Sequence, residues 1–489
     1  MRSRKYLSKV VVTVGEPGPH RNANAVRRTA LLVLVSFVGL AAPSRSYAAV
    51  RTVCASGCKY TNIAAAIAAA KAGDTISILD AVHTESNITV DRSLTIQGQG
   101  AAKTAVDGAQ NGTVFTVDAG VTATFRNLTI RNGLSDASGG GILNDGTLTV
   151  NNSNFSNNVG VYGGGILNLG TLSVFDSTFS SNSAALGGGG IWNEDTMTVT
   201  NSNFSNNGAT GGGGIGNPGT LTVIDSTFSG NGADGGGGIV TGNGVLPGGS
   251  LTVINSTLSG NDALDGGGIL NNSTVSGGGT LTVINSTFFD NFAFGGGGID
   301  SIGILAVINS TFLDNGTGGG ATIEGFGSSS VKNTILAGGF GGNCAGVITD
   351  AGYNISDDAT CGFSATGSRN STNPILDRAG LANNGGPTAT IALDSESPAI
   401  DAIPVADCTD QNSNPIHTDQ RGALRPDPGE VVCDIGAYEF QEFAGQARCE
   451  RKSHSALVQQ YGSLSAAASA YGVSTLRALE VAIRRSCAG

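Results

Sequence analysis

A chain that returns one tetrad at near-constant intervals has few folds open to it. Gly-Gly-Gly-Ile ends at Ile142, Ile166, Ile191, Ile215, Ile239, Ile269 and Ile299, with a worn copy at Ile323, in steps of 24, 25, 24, 24, 30, 30 and 24 residues. Periods of this size mean a solenoid, in which each repeat stacks on the one before. Gly makes up 77 of 489 residues, but it does not recur at every third place, which excludes collagen. A leucine-rich horseshoe shares the period but carries far more Leu and a helical segment.

Within a repeat the apolar residues alternate. Leu221-Thr-Val223, Asp225-Ser-Thr-Phe228 and Asn231 set the pattern; Leu148, Val150, Ser153, Phe155 and Asn158 repeat it, as do Leu281, Val283, Ser286, Phe288 and Asn291. Period two is strand, not helix, so each repeat holds two or three short strands with Leu, Val, Phe and Ile inward and Thr outward. One coil cannot bury its own apolar face, whereas stacked coils roughly 4.8 Å apart can. The expected fold is all-β, a right-handed single-stranded parallel β-helix, running from about residue 75 to at least 336.

Stacking puts identical side chains in ladders. A Phe ladder follows as Phe155, Phe179, Phe204, Phe228, Leu258, Phe288 and Phe312. An inward Asn ladder follows as Asn158, Asn182, Asn207, Asn231, Asn261, Asn291 and Asn315, able to satisfy buried amides from coil to coil. A patchier one holds Asn144, Asn168, Asn193, Asn217 and Asn271. Two coils lengthen at the same corner, over residues 240–250 and 270–280, which predicts one lateral bump. An exposed solenoid end is an open edge. The Ala-rich stretch Thr61 to Gly73 reads as a short capping helix. Residues 49–336 then form the capped β-helix, 337–440 a loop-rich end, and 441–489 a helical hairpin tail.

Residues 1–48 read as a cleaved secretory signal: seven basic residues against Glu16 up to Arg28, an apolar run from Ala30 to Ala42, then Ser46 and Ala48 as small residues at the cut. A membrane anchor is the competing reading, but 13 residues fall short of a comfortable span. No later stretch is long and apolar enough to cross. Removing the segment takes 8 of 26 basic and 1 of 37 acidic residues, so the mature chain holds 18 against 36, a net −18. No Lys or Arg lies between Arg131 and Lys332, where 13 acids do, and no His between His83 and His417. A nucleic-acid groove needs clustered cations, so nucleic acid is excluded as a partner, and polyuronates would be repelled. Eight Cys in an exported chain read as disulfides between sequence neighbours: Cys54–Cys58, Cys344–Cys361, Cys408–Cys433 and Cys449–Cys487. Zinc is a weak alternative, since nothing near Cys54 and Cys58 completes four ligands.

Three stretches resemble known families. "AGDTISIL" and "SLTIQGQG", through Gly100, resemble the start of pectate-lyase-like β-helix domains. Residues 139–323 resemble the repeats of polymorphic outer-membrane proteins, with Gly-Gly-Ala-Ile and Phe-x-x-Asn hallmarks; here the third position is Gly. "ANNGGPTATIAL" (382–393), "SPAIDA" (397–402), "DQRGALRP" (419–426) and "CDIGAYEF" (433–440) resemble the choice-of-anchor Q domain of bacterial exported proteins. That resemblance implies a β-helix continuation followed by a surface-sorting signal. No LPxTG motif or hydrophobic tail follows residue 440.

Chemistry is harder to find. Lyases of this fold abstract a proton with a basic side chain beside Ca²⁺, and the repeats offer no Lys, Arg or His. Asp290 and Asp314 hold the same place in adjacent coils, roughly 5 Å apart, the spacing of a retaining glycosidase pair; a solvated turn or weak Ca²⁺ site is the plainer reading. Glu194 and Asp195 lie beside Trp192, which follows Ile191 and so should face outward, as a sugar platform or a lone surface aromatic. Asp419, Arg421 and Arg425 read as structural ion pairing, and Asp357-Asp358 as loop surface. The expectation is a secreted or cell-surface protein presenting a rigid elongated face to an extracellular glycan or protein, non-enzymatic and without cofactor. The alternative is a carbohydrate-active enzyme on neutral or cationic glycans.

Overall fold

A computed structural model describes residues 48–242, 248–272, 279–316, 320–441, 453–454, 456–473 and 475–487. The signal segment up to residue 47, the tips of both corner insertions and Cys449 of the expected Cys449–Cys487 pair lie outside these residues.

The chain is a parallel β-solenoid. Each coil contributes two strands to a 22-stranded sheet, such as Ile215–Asn217 and Thr220–Ile224, and one strand to a 12-stranded sheet, such as Thr227–Ser229. In four coils the Gly-rich run also pairs, as at Gly208–Gly211 and Gly232–Gly235. The register does not slip: Ile142 pairs with Ile166, Ile166 with Ile191, Ile191 with Ile215, and so on to Ile323.

The interior follows from that register. Phe155, Phe179, Phe204 and Phe228 stack with ring centroids 4.6, 4.8 and 4.7 Å apart and planes within 5°. Asn231 Nδ2 donates to Asn261 Oδ1 at 2.9 Å and to Phe204 O at 3.0 Å, while its own amide reaches Asn261 Oδ1. A Ser ladder does the same work at the preceding corner: Ser226 N donates to Ser256 Oγ, and Ser226 Oγ to Ile224 O. The buried donors of these two columns thus meet acceptors on their own coil or one rung away. The tetrad glycines serve close packing. A Cβ on Gly214 would sit 2.6 Å from Gly238 O and 2.8 Å from the Phe228 ring.

Two corners per coil are left-handed, one residue before each inward polar ladder. Asn152, Asp176, Asn201, Asp225, Asn255, Asn285, Asn309 and Asn333 have φ between 44° and 58°, as do Asn157, Ser181, Asn206, Asp290 and Asp314 at the other corner. Asn and Asp tolerate this region better than other side-chain-bearing residues, which explains the repeated Asn-Ser, Asp-Ser, Asn-Asn and Asp-Asn pairs.

The N-terminal end is closed by the helix Ile63–Ala68, shorter than the expected 61–73, whose Ile63, Ala66 and Ile67 enter the core. Coil pairing runs on past residue 336 through Ile335–Ala337, Cys344–Asp350 and Ile355–Ser356. Beyond it, the stretch 376–440 does not extend the stack. It holds two antiparallel pairs, Leu376–Ala382 with Thr390–Leu393 and Ile403–Pro404 with Val432–Cys433, and lies back along the outer face of the 12-stranded sheet. Its apolar core takes only Ile335 and Ile355 from the coils. Cys54–Cys58, Cys344–Cys361 and Cys408–Cys433 are disulfides. Helices Leu464–Ala470 and Leu476–Cys487 pack through Ala467, Ala468, Leu479 and Ile483. No helix among the described residues is long and apolar enough to cross a membrane.

Replacing a fully buried ladder ring, Phe228→Ala, should cost about 3–5 kcal/mol, against little for the half-buried outward Thr222→Ala. Hydrogen exchange of the neighbouring rungs is the readout, because a solenoid can open locally. Equal loss of protection in the two variants would mean that the inner and outer faces are assigned the wrong way round.

Candidate functional site

The outer face of the 12-stranded sheet carries a column of small polar side chains in register: Asn154, Thr178, Asn203, Thr227, Thr257, Thr287 and Thr311. The folded-back stretch covers its upper part. Thr257 Oγ1 donates to Ala389 O at 2.6 Å, Thr287 Oγ1 to Gln420 Oε1 at 2.6 Å, and Ala437 N to Thr311 Oγ1 at 2.9 Å. Gln420, fully buried, donates in turn to Thr257 Oγ1 and Thr388 Oγ1. Below this cover the face is open. A cleft of about 240 Å³ begins at Pro387 and runs over Thr227, Asn203 and Thr178, edged by Asp225, Asn201 and Asp176. Asn201 Nδ2 donates to Asp176 Oδ1 at 2.6 Å. The sequence reading passed over these residues. Their signal is the replacement of Asn by Asp at a left-handed corner, and it acquires meaning only once the cover is located.

The residues singled out in sequence fall elsewhere. Trp192 is corrected: it stands on the outward side of its strand, as parity requires, but it is 1% exposed. The Gly-rich flank and Tyr162, with ring centroids 5.5 Å apart, close over it, and Gly216 leaves the space, since a Cβ there would lie 2.2 Å from the indole. Its Nε1 donates to Glu194 Oε1 at 2.9 Å, so Trp192 offers no sugar platform. Glu194 and Asp195 remain exposed, with Asp195 accepting from Thr196 Oγ1.

Asp290 and Asp314 occupy a left-handed corner at φ 53° and 56°, where other coils place Asn157 and Asn206, so the backbone asks for an Asn or Asp there without choosing between them. Burial, then Asp290 and Asp357, raise the Asp314 carboxyl above its ordinary value. Asp357 is tied down by Asn343 Nδ2 at 2.6 Å and Gly338 N at 2.9 Å. In the C-terminal stretch, Arg421 pairs with Asp419 at 2.6 Å and lies 3.5 Å over the Tyr438 ring; Arg425 pairs with Glu439 at 2.9 Å, both buried. These pairs hold the loops of the cover together.

Two further ionisable groupings were not foreseen. Asp300 takes the outward position that Trp192 fills four coils earlier, and is 9% exposed. Burial, then Glu324 and Asp265, push its carboxyl up to about 6, and its Oδ1 has no hydrogen-bond partner among the described residues. No set of three or more His, Cys, Asp or Glu placed to hold a metal occurs among the described residues. At the N-terminal cap, His83 meets Asp80 Oδ2 at 3.0 Å through Nδ1 and Glu85 Oε2 at 2.9 Å through Nε2. Glu85 also accepts from Ile63 N and Ala64 N at the helix start, and Asp80 from Ala55 N in the disulfide loop. Both ring nitrogens can donate only in the imidazolium. The hydrogen bond to Glu85, then that to Asp80, raise the His83 pKa against the opposing pull of burial. The arginines of the N-terminal coils are engaged, Arg51 with Asp74, Arg92 with Asp91, Arg126 with Gln97 and Arg131 with Asp107.

A solenoid with a polar outer face and one uncovered stretch of it is the class these features define. No family model matches the chain, and no curated protein does. Among solved structures it is similar to the crystal structure of the pectate lyase Pel9A, at 14% identity and a TM-score of 0.44, covering 81% of this chain and 98% of that one.

Two titrations follow. His83 contributes cap stability that is complete below its ordinary pKa of 6.5 and is lost as pH rises through its raised folded value. An NMR titration of its ring protons should show a midpoint above 6.5; a midpoint at or below that value would remove the imidazolium bridge. Asp300 also loses stability as pH rises, but as a penalty rather than a lost bond: the cost grows from its ordinary value of 3.8 and is complete above about 6, so Asp300→Asn should raise the melting temperature at pH 8 and leave it nearly unchanged at pH 4. A lowered melting temperature at pH 8 would show that the carboxylate is compensated.

Proposed function

We propose that the chain is an exported, non-enzymatic recognition protein that presents the outer face of its 12-stranded sheet to an extracellular partner. One observation carries this reading: a register-matched column of outward Thr and Asn, already used on three coils to hold another part of the same chain by hydrogen bonds, continues uncovered on the coils below. A β-solenoid suits the task, because every rung repeats the spacing of the last and the face does not need to be ordered on binding. The disulfides and the expected signal segment support export. The motifs resembling the choice-of-anchor Q domain fall in the cover, 382–440, which gives that region a structural part in shaping the face whether or not it leads to an anchor.

Within this cleft a competing enzyme would draw on Asp176 and Asp225. They stand two rungs apart, roughly 10 Å, at the outer limit of an inverting glycosidase pair. Purified mature protein should release neither reducing ends from neutral or cationic glycans nor unsaturated product from polygalacturonate, with or without Ca²⁺. It should bind neither polygalacturonate without Ca²⁺ nor DNA, since like charges would meet with nothing to offset them. Product release abolished by Asp225→Asn, or by Arg131→Ala for the lyase reaction, would overturn the reading.

A further inference from the structure

We infer that the open end of this face takes an extended, basic segment of a partner polypeptide. The inference rests on the recognition reading above and names the partner's chemistry.

The cover itself shows what the face binds. On the occupied coils main-chain groups meet the column at Thr257 (Ala389 O) and Thr311 (Ala437 N) and the corner beside it at Asn285 Nδ2 (Thr418 O) and Asn333 Nδ2 (Asp407 O), while the Gln420 side chain meets Thr257 and Thr287. This face thus already binds polypeptide, through backbone and side chain together. The cleft begins where that cover ends, at Pro387, and the next rungs keep the same register, Thr257 over Thr227, Thr227 over Asn203, Asn203 over Thr178. No aromatic side chain lines the cleft among the described residues, so the usual platform for a sugar ring is missing there.

The corner residues supply the charge. Under the cover the left-handed corner is Asn on each coil, at 255, 285, 309 and 333. In the open stretch it becomes Asp225, Asn201 and Asp176. Asn to Asp exchanges an amide donor for a second acceptor oxygen and adds a negative charge. The backbone does not ask for the exchange, because Asn fills the same conformation on the neighbouring coils. No Lys or Arg lies between Arg131 and Lys332 in sequence, so the repeats supply no cation of their own, and Asn201, bonded to Asp176 Oδ1, is neutral. Two carboxylates two rungs apart, roughly 10 Å, lie between the same-face spacings of an extended chain, about 6.7 Å for two residues and about 13 Å for four. Lys and Arg side chains are long enough to close the remaining distance while Thr and Asn bond the partner's backbone.

The test uses the mature chain and a fluorescein-labelled eight-residue peptide of alternating Lys and Thr, with a Glu-Thr peptide and a chitosan hexamer as competitors, read by anisotropy. The Lys-Thr peptide should bind, weaken as salt is raised, and lose at least tenfold in affinity for Asp176→Asn/Asp225→Asn. Asp234→Asn, an exposed acid on the Gly-rich flank, should leave binding unchanged. Circular dichroism checks that the cleft variant is folded, as expected from Asn at positions 201 and 255. No binding of the peptide, equal affinity in the cleft variant, or displacement by the Glu-Thr peptide would overturn the inference. Binding of the chitosan hexamer in place of the peptide would overturn the polypeptide partner while leaving the recognition reading in force. Release of sugar in the preceding assay is what removes that reading.

Discussion

Coil-on-coil hydrogen bonding in fixed register is the constraint on which the rest of this structure depends. A single coil has three or four strands of three to five residues and no internal pairing. All of its strand amides are satisfied by the coils above and below. That requirement reaches inside the coil, where the corners bury polar backbone too. The Asn231 and Ser226 columns answer it with side chains that bond their own coil and the next. The interior is therefore not a purely apolar core with defects. Its polar ladders are as periodic as its Phe and Ile ladders; a break in an apolar ladder leaves a cavity, whereas a break in a polar one leaves orphaned groups on the neighbouring rungs.

The same constraint decides where acids can be read as functional. A corner that needs positive φ selects Asn, Asp or Gly for backbone reasons. Asp290 and Asp314 sit at such a corner, so their recurrence one rung apart does not by itself mark a catalytic pair. Trp192 carries the complementary lesson. Strand parity places it on the outer side of the sheet, but in this solenoid the outer side of the Ile strand is sheltered by the Gly-rich flank, and the side chain is sealed there by Tyr162 and its bond to Glu194. The face of a strand and the accessibility of that face are separate properties.

What could be read from the sequence was what the repeat encodes. The tetrad isoleucines pair one to the next, and the Phe and Asn ladders stack at the expected spacing, because each is a relation between equivalent positions one period apart. The cover over residues 376–440 has no such signature. It is held to the coils by hydrogen bonds 74 to 164 positions distant, made largely by Thr, Gln and Asn side chains that follow no apolar pattern. The open cleft is defined by where that cover stops, so it could not be found before the cover was. The repeat itself carries the coils to at least residue 336, and it is the choice-of-anchor resemblance that implies a continuation beyond it. The glycine tetrads end there while the backbone pairing does not.

Stacking also sets a rule for charge. Because every side chain faces its equivalent one rung away, a repeated acid is repelled by its own copies. Where acids do neighbour each other the carboxyl responds: Asp314 is raised by burial, Asp290 and Asp357, and Asp300 is pushed to about 6 by burial, Glu324 and Asp265. In the open cleft the order is instead Asp176, Asn201, Asp225, with Asn255 following under the cover, so the acids stand on every second rung. Alternation keeps the acids apart along the stack, and Asn201 bonds Asp176 from the rung between. Charge laid out in this way weakens the solenoid less than a continuous column would, yet leaves two anions on an uncovered face with no cation in the surrounding repeats. The arrangement is one that a cationic partner can complete without any rearrangement of the coils.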